Sequence, residues 1–339
     1  LLMRYYNART LIIVPTTSLV SQLASDFADY GYSSDKLVHR IYSGQDKQTD
    51  KPVTISTWQS IYKLPKEYFK QFDVVIGDEA HLFKAKSLIS IMSKLGSCQY
   101  RFGFTGTLDG TQTNQLILEG LFGVVRKVTT TSELMEQNYI SSFLIKAIVL
   151  KYPDDVKKQI AKFNYQQEID YLVRNEARNN FIKNLALSLK GNTLILFQFV
   201  EKHGDVLEKL IRGSTNQPVY YVYGGVDKDE RERIRKIVEE QPNAIIIASS
   251  GTFSTGVNIR NLHNIIFSSP SKSKIRNLQS IGRGLRKSDS KDNATLYDIA
   301  DDMTWKNRKN FTINHFIERM KIYNEEKFEY KIYPVNLKV

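Results

Sequence analysis

The stretch Phe72-Asp73-Val74-Val75-Ile76-Gly77-Asp78-Glu79-Ala80-His81 decides how the rest of this chain is read. Val74, Val75 and Ile76 follow one another without a polar break, as in a strand buried on both faces; a strand with one wet face would alternate. The run stops abruptly on two acids. Outward from it, the same theme recurs on either side. Leu11–Val14 leads into a helix-like Ser18–Tyr30, Val53–Ser56 leads into Gln59–Leu64, and Tyr100–Phe104 ends in Thr-Gly-Thr. Short apolar strands alternating with helical patterns imply parallel strands joined by crossovers, so the fold class is α/β.

The theme lapses between about Thr129 and Lys190, a polar, helix-prone stretch holding Glu168, Arg174, Glu176 and Arg178, and resumes with Thr193–Phe199, Val219–Tyr223, Ala244–Ala248, Ile265–Ser268 and Ala294–Ile299. Two similar lobes follow, each a mostly parallel sheet flanked by helices. We expect the first over 1–140, a linker and helical entry over 141–190, and the second over 191–339, with the boundary near Ile140–Lys151. The length agrees, because single cores tend to split beyond about 250 residues and the chain has 339. From Trp305 onward the sequence reads as a helix and a short strand, which either packs on the second lobe or reaches a nucleic-acid backbone.

Composition narrows the setting. With 41% hydrophobic and 25% charged residues, and no apolar run long enough for a bilayer, no membrane partner is expected. The lone Cys98 excludes an internal disulfide framework and a cysteine-based zinc cluster, which fits a reducing cytoplasmic location. A net charge of +12 favours polyanions. Leu1–Tyr6 reads as the middle of an amphipathic helix without the layout of a signal peptide.

In open parallel sheets, ligands collect beyond the carboxyl ends of the strands. There Asp78 and Glu79 suit nucleotide hydrolysis, one carboxylate holding Mg²⁺ through its waters and the other polarising the attacking water. Thr105-Gly106-Thr107 offers hydroxyls beside them. Downstream, Gln279-Ser280-Ile281-Gly282-Arg283-Gly284-Leu285-Arg286 puts two guanidinium groups on one helix face, suited to charge spreading on a transferring γ-phosphate. Other cation groups, Lys272/Lys274/Arg276 and Arg231/Arg233/Arg235/Lys236, are either solvated faces or phosphate tracks, and Trp58 and Trp305 either core indoles or stacking surfaces.

Taken in order, these motifs resemble those of the superfamily 2 helicases. Pro15-Thr16-Thr17 resembles motif Ia, Ser56–Gln59 motif Ib, Asp78–His81 the DEAH box, Thr105–Thr107 motif III, Leu194–Phe199 motif IV, Phe253–Asn258 motif V and Gln279–Arg286 motif VI. The wordings IVPTTSLVSQL, STWQSI, FSTGVNI, LQSIGRGLRK and HFIERMKIYNEEKF are most similar to phage recombination and repair helicases.

The resemblance implies two RecA-like lobes with ATP and Mg²⁺ as cofactors and branched or forked DNA as partner, RNA in DNA–RNA hybrids being a further one. It implies a host-cell cytoplasmic setting and favours a monomer. By position, Asp78 holds Mg²⁺ with Glu79 beside it, Glu79 activates water, His81 couples to Gln279, and Arg283 and Arg286 meet the γ-phosphate. Gly256 and Asn258 lie at the nucleotide. Pro15, Thr16, Thr17, Thr57, Trp58, Gln198, Phe199 and Thr255 grip nucleic acid, and Thr105, Gly106 and Thr107 couple the two activities.

Two departures stand out. Asn258 takes the place of an Asp, and no Gly-x-x-x-x-Gly-Lys-Ser/Thr occurs between residues 1 and 339, although that loop cradles the β- and γ-phosphates. In the family it precedes the helix matching Leu1–Tyr6, so a first lobe truncated at its amino end and weak ATP hydrolysis by this chain are expected. A double-strand translocase of a restriction or remodelling complex, and a non-hydrolysing nucleic-acid-binding fragment, stay open as alternatives.

Overall fold

The computed structural model describes residues 2–42, 44–106, 112–129, 133, 137, 142–254, 261–269 and 293–338. The chain divides into two compact units, Leu1–Lys127 and Val128–Val339. No helix among the described residues is long and apolar enough to cross a membrane.

The first unit is built on β1 (Thr10–Val14), β2 (Val38–Ile41), β3 (Val53–Thr57), β4 (Val74–Asp78) and β5 (Tyr100–Phe104). They form one sheet in the order β2-β3-β1-β4-β5, with every pairing parallel. Successive side chains of a strand point to opposite faces, and β1 serves two cores accordingly. Ile12 and Val14 meet Val20 and Ala24 of the helix Thr17–Asp29. Leu11 and Ile13 face Ile61, Phe69, Leu88 and Ile91 on the other side. Each such side chain contributes about 1.5–3 kcal/mol on burial, which explains the continuous apolar runs. β2 shows no apolar run in the sequence because His39 and Arg40 occupy half of it; as an edge strand it tolerates them.

The second unit holds β6 (Ser142–Lys151), β7 (Thr193–Phe197), β8 (Val219–Val222), β9 (Ile245–Ser249), β10 (Asn264–Phe267), β11 (Asn293–Asp302) and β12 (Glu329–Asn336). The sheet order is β12-β6-β11-β10-β7-β9-β8, again with parallel pairings throughout. Two parallel sheets flanked by helices meet the α/β expectation. Within the stretch expected to carry the lobe boundary, Ser142–Lys151 forms β6, an interior strand paired over ten registers with β11. Lys146 breaks its apolar pattern, and its ammonium lies 5.5 Å from the Tyr297 ring centroid. Pro334 falls in the edge strand β12, where its missing N–H is tolerated.

The helices Asp154–Ile160, Tyr165–Arg174 and Glu176–Ser188 cover the face of Ile195, Phe197 and Ile299. Glu168 and Arg178, in sequence only members of a polar stretch, are buried and paired. The Arg178 guanidinium donates to both oxygens of Asp301 (2.8 and 3.0 Å), which also accepts from Tyr152 Oη. On the opposite face the helix Phe311–Glu325 is fastened to β11 by Arg319, which donates twice to Asp298 (2.9 Å each), and by Tyr323 Oη, at 2.8 Å from the same carboxylate.

Candidate functional site

Strand register sets what can meet at the edge of the first sheet. Val14 is paired with Thr57, Ile13 with Gly77, and Asp78 with Phe104. All four strands run the same way, so the residues after each emerge side by side at the carboxyl edge: Pro15-Thr16-Thr17, Trp58, Glu79-Ala80-His81 and Thr105-Gly106. That is where an open parallel sheet binds its ligands.

Asp78 closes β4 half-exposed, and its Oδ1 accepts from the Glu79 N–H at 3.0 Å. Glu79 has φ 50 and ψ 51, a left-handed conformation that costs a residue with a Cβ about 1–2 kcal/mol. Strain of this kind persists only where the surroundings impose it. Here the following 3₁₀ turn, Ala80–Lys84, is packed under the strand end. A Cβ on Gly77 would come within 2.7 Å of the Phe83 ring, and one on Gly103 would meet Ala80 Cβ and the Phe122 ring at 3.0 Å. The two rings contact edge to face at 5.0 Å. Gly77 and Gly103 thus admit the aromatic pair that presses the acidic turn onto the sheet. Motif reasoning passes over these positions, and their signal is the glycine in each of two neighbouring strands.

His81 joins the two loops. Its Nδ1 lies 2.9 Å from Thr105 Oγ1 and 3.4 Å from Glu79 Oε2, so one ring touches both the acidic turn and the residue after β5. Hydrated Mg²⁺ is compatible with this donor set. It keeps most of its waters and takes one or two carboxylates plus phosphate oxygens, and Asp78 keeps an oxygen beyond the one used by the Glu79 amide. Among the described residues no group of three or more His, Cys, Asp or Glu is arranged to hold a metal by itself.

Along the same edge Thr16 caps the helix Thr17–Asp29, its Oγ1 accepting from Leu19 N at 3.4 Å; the first-turn amides beside it are the donors an anion meets. Thr57 Oγ1 is 2.8 Å from Ser60 Oγ. The Trp58 ring is half-buried against Tyr62, centroids 5.9 Å apart.

In the second unit, β7 stops at Phe197 rather than Phe199, because the Gln198 N–H donates to Ser269 Oγ (2.9 Å) instead of continuing the ladder. Ser250 Oγ donates to Phe197 O at 3.0 Å. Gln198 is exposed and Phe199 half-buried. The Arg231–Lys236 cluster is partly spent locally: Arg233 pairs with Glu230 and Arg235 with Glu239. Thr107, Thr255, Gly256, Asn258, Gln279, Arg283, Arg286 and the group Lys272/Lys274/Arg276 lie outside the described residues.

Residues 1–110 match the family described as Type III restriction enzyme, res subunit, and residues 176–288 match the helicase conserved C-terminal domain. With two parallel sheets and strand-end motifs in this order, the chain belongs to the superfamily 2 helicases. Its sequence is 38% identical to the ATP-dependent DNA helicase uvsW of Enterobacteria phage T4, an alignment covering 99% of this chain and 71% of that protein. The crystal structure of T4 UvsW matches with a TM-score of 0.53 over 99% of this chain and 70% of that one. The DNA 3'-5' translocase XPB2 of Sulfurisphaera tokodaii is 25% identical, covering 83% of this chain and 70% of its own length. The Type ISP restriction-modification enzyme LlaBIII bound to DNA shares the fold at 14% identity and TM-score 0.65, over 97% of this chain and 28% of that one.

Proposed function

We propose that this chain is the motor of an ATP-dependent DNA helicase that acts on branched DNA, in fork regression, Holliday-junction branch migration and R-loop unwinding during recombination and repair. One observation carries the nucleotide chemistry: the acidic turn, His81 and Thr105 share a single strand-end cluster, with Glu79 held in a strained conformation. In this reading Asp78 holds the hydrated Mg²⁺ that neutralises phosphate charge. Glu79 orients the attacking water and takes its proton. His81 relays the state of that carboxylate to Thr105 and to Gln279. Arg283 and Arg286 bear on the γ-phosphate, where permanently charged forks stabilise the spreading charge. Pro15–Thr17, Thr57 and Trp58, with Gln198, Phe199 and Thr255, grip the nucleic-acid backbone. A grip whose affinity differs between nucleotide states is what turns hydrolysis into stepping.

Turnover also needs a Gly-x-x-x-x-Gly-Lys-Ser/Thr loop; residues 1–339 alone hydrolyse ATP poorly in this reading. The test is DNA-stimulated ATP hydrolysis by the full gene product against its Glu79→Gln version. A drop of about 10²-fold or more is expected from loss of the general base, and equal rates overturn the assignment. The match of residues 1–110 to a restriction-enzyme subunit favours a second reading, translocation on duplex DNA without strand separation. Triplex displacement in the absence of fork unwinding selects it.

A further inference from the structure

The nucleotide and motif readings leave the tail of the second unit unassigned, although it carries exposed basic and aromatic residues. From Met303 to Ile317 the sequence carries Lys306, Arg308, Lys309 and His315 and no acid. From Val156 to Gln167 it carries Lys157, Lys158 and Lys162, again with no acid. The fold brings Tyr165, at the end of the second stretch, against Phe311 and His315 of the first. Trp305 and Arg308 exchange backbone hydrogen bonds at 3.1 and 3.0 Å, making a tight hairpin with Lys306 at φ 51. Its tip, Lys306 through Lys309, is exposed. Two residues on, Phe311 is 39% exposed and lies 5.9 Å from the ring of Tyr165, itself 41% exposed. The His315 ring stands 5.4 Å from Tyr165.

Asp154 takes up Lys157 at 2.9 Å, but the other acids nearest this surface are committed elsewhere. Glu168 is turned inward onto the start of the helix Phe311–Glu325, accepting from Phe311 N, Thr312 N, Thr312 Oγ1 and Asn310 Nδ2. Asp301 is taken by Arg178, and Asp302 pairs with Lys151. The same bonds fix the platform, since Asn310 Oδ1 also accepts from Met303 N at 2.9 Å at the base of the hairpin. Cations and ring surface are therefore presented on a rigid support, which lowers the ordering cost of binding.

We propose that Lys306, Arg308 and Lys309 with Tyr165 and Phe311 form a second nucleic-acid surface, outside the helicase motifs, that takes a single strand. The cations track phosphates with counterion release. The exposed rings offer stacking to bases, and base faces are free only when the strand is unpaired. The inference rests on the reading that this protein works on nucleic acid, but not on its hydrolytic residues.

The experiment is fluorescence anisotropy of a labelled oligothymidylate, titrated at several salt concentrations, with the matching duplex in parallel. K306A/R308A/K309A is expected to weaken single-strand binding about tenfold or more and to lower the salt slope by about 2, at roughly 0.7 for each phosphate no longer neutralised. Tyr165→Ala is expected to cost about five- to hundredfold with the slope unchanged, and Tyr165→Phe to restore binding. K36A/K66A/K70A, which removes the same charge from exposed positions of the first unit, should change neither. Wild-type affinity and slope in both K306A/R308A/K309A and Tyr165→Ala overturn the proposal. An equal loss in K36A/K66A/K70A reduces the effect to net charge and overturns it as well. An equal loss on duplex from Tyr165→Ala overturns the single-strand assignment. Hydrolysis by Glu79→Gln reports separately on the proposed motor, so failure of one reading is distinguishable from failure of the other.

Discussion

Replacing Glu168 by Ala tests whether the tail of the second unit is held by one buried carboxylate. Glu168 is 1% exposed, and its oxygens accept from Thr312 N and Thr312 Oγ1 at 2.7 Å and from Phe311 N and Asn310 Nδ2 at 2.9 Å. Asn310 occupies the cap position of that helix without capping it through its own side chain. The cap therefore comes from another helix, as a charge on the positive end of the dipole. Alanine leaves buried donors without an acceptor, each costing about 1–3 kcal/mol. Removal of the buried charge itself offsets part of this, so the net loss is about 3–5 kcal/mol, as for other broken buried networks. In a unit of about 200 residues that lowers Tm by roughly 6–20 °C. Glu168→Gln keeps the volume and one acceptor and should fall between. Differential scanning calorimetry reads the loss, and hydrogen exchange should deprotect the first turn of Phe311–Glu325 before the central strands. A loss below about 1 kcal/mol with unchanged exchange in that turn refutes the reasoning, because it means the donors find acceptors elsewhere.

Thr105→Val removes the hydroxyl that meets His81 Nδ1; ATP hydrolysis should stay within a few-fold while unwinding per ATP falls about tenfold, and equal losses of both would place Thr105 in the chemistry rather than in coupling. Gly77→Ala puts a Cβ within 2.7 Å of the Phe83 ring, so thermal melting should show a loss of about 1–3 kcal/mol with reduced hydrolysis as the acidic turn is displaced. Burial raises the Asp302 carboxyl, and hydrogen bonds from Lys151 and Thr304 more than offset it, so the group titrates below its ordinary value. Its stabilising contribution is therefore present above the ordinary carboxylate pKa and lost as pH falls through the lowered one. The stability gap between wild type and Asp302→Asn should be constant above about pH 5 and close in acid, and a gap that widens in acid contradicts the pairing.

Much of the α/β frame was legible because buried parallel strands write themselves as unbroken apolar runs: Leu11–Val14, Val53–Ser56, Val74–Gly77 and, up to Phe197, Thr193–Phe199 fall on interior strands. What escaped had a physical reason. β2 is an edge strand with polar centre residues, and β6 carries Lys146 in its middle. The Glu168 cap and the Arg178–Asp301 pair join positions more than a hundred residues apart, which no local periodicity can register. At the site, the order Asp78, His81, Thr105 was readable, but the left-handed Glu79 and the Phe83–Phe122 pair beneath it depend on glycines in two different strands.

The sequence contains a second apolar run that closes on two acids, and its fate shows what the pattern alone does not determine. β4 runs Val-Val-Ile-Gly-Asp and is followed by Glu79; β11 ends in Asp-Ile-Ala-Asp-Asp. Both put carboxylates at the carboxyl edge of a parallel sheet. Asp301, however, is fully buried under the Arg178 fork and the Tyr152 hydroxyl, and Asp302 is paired with Lys151. Among the described residues Asp78 takes no such cation, only the amide of its neighbour. A carboxylate already matched by a buried guanidinium has little left to offer a hydrated metal. One that is half-exposed, and held beside a strained acid and a histidine, retains that capacity. The difference is written not in β4 or β11 but in Arg178 and Lys151, far from β11 in sequence, so partner supply rather than strand-end position separates the candidate catalytic pair from the structural one.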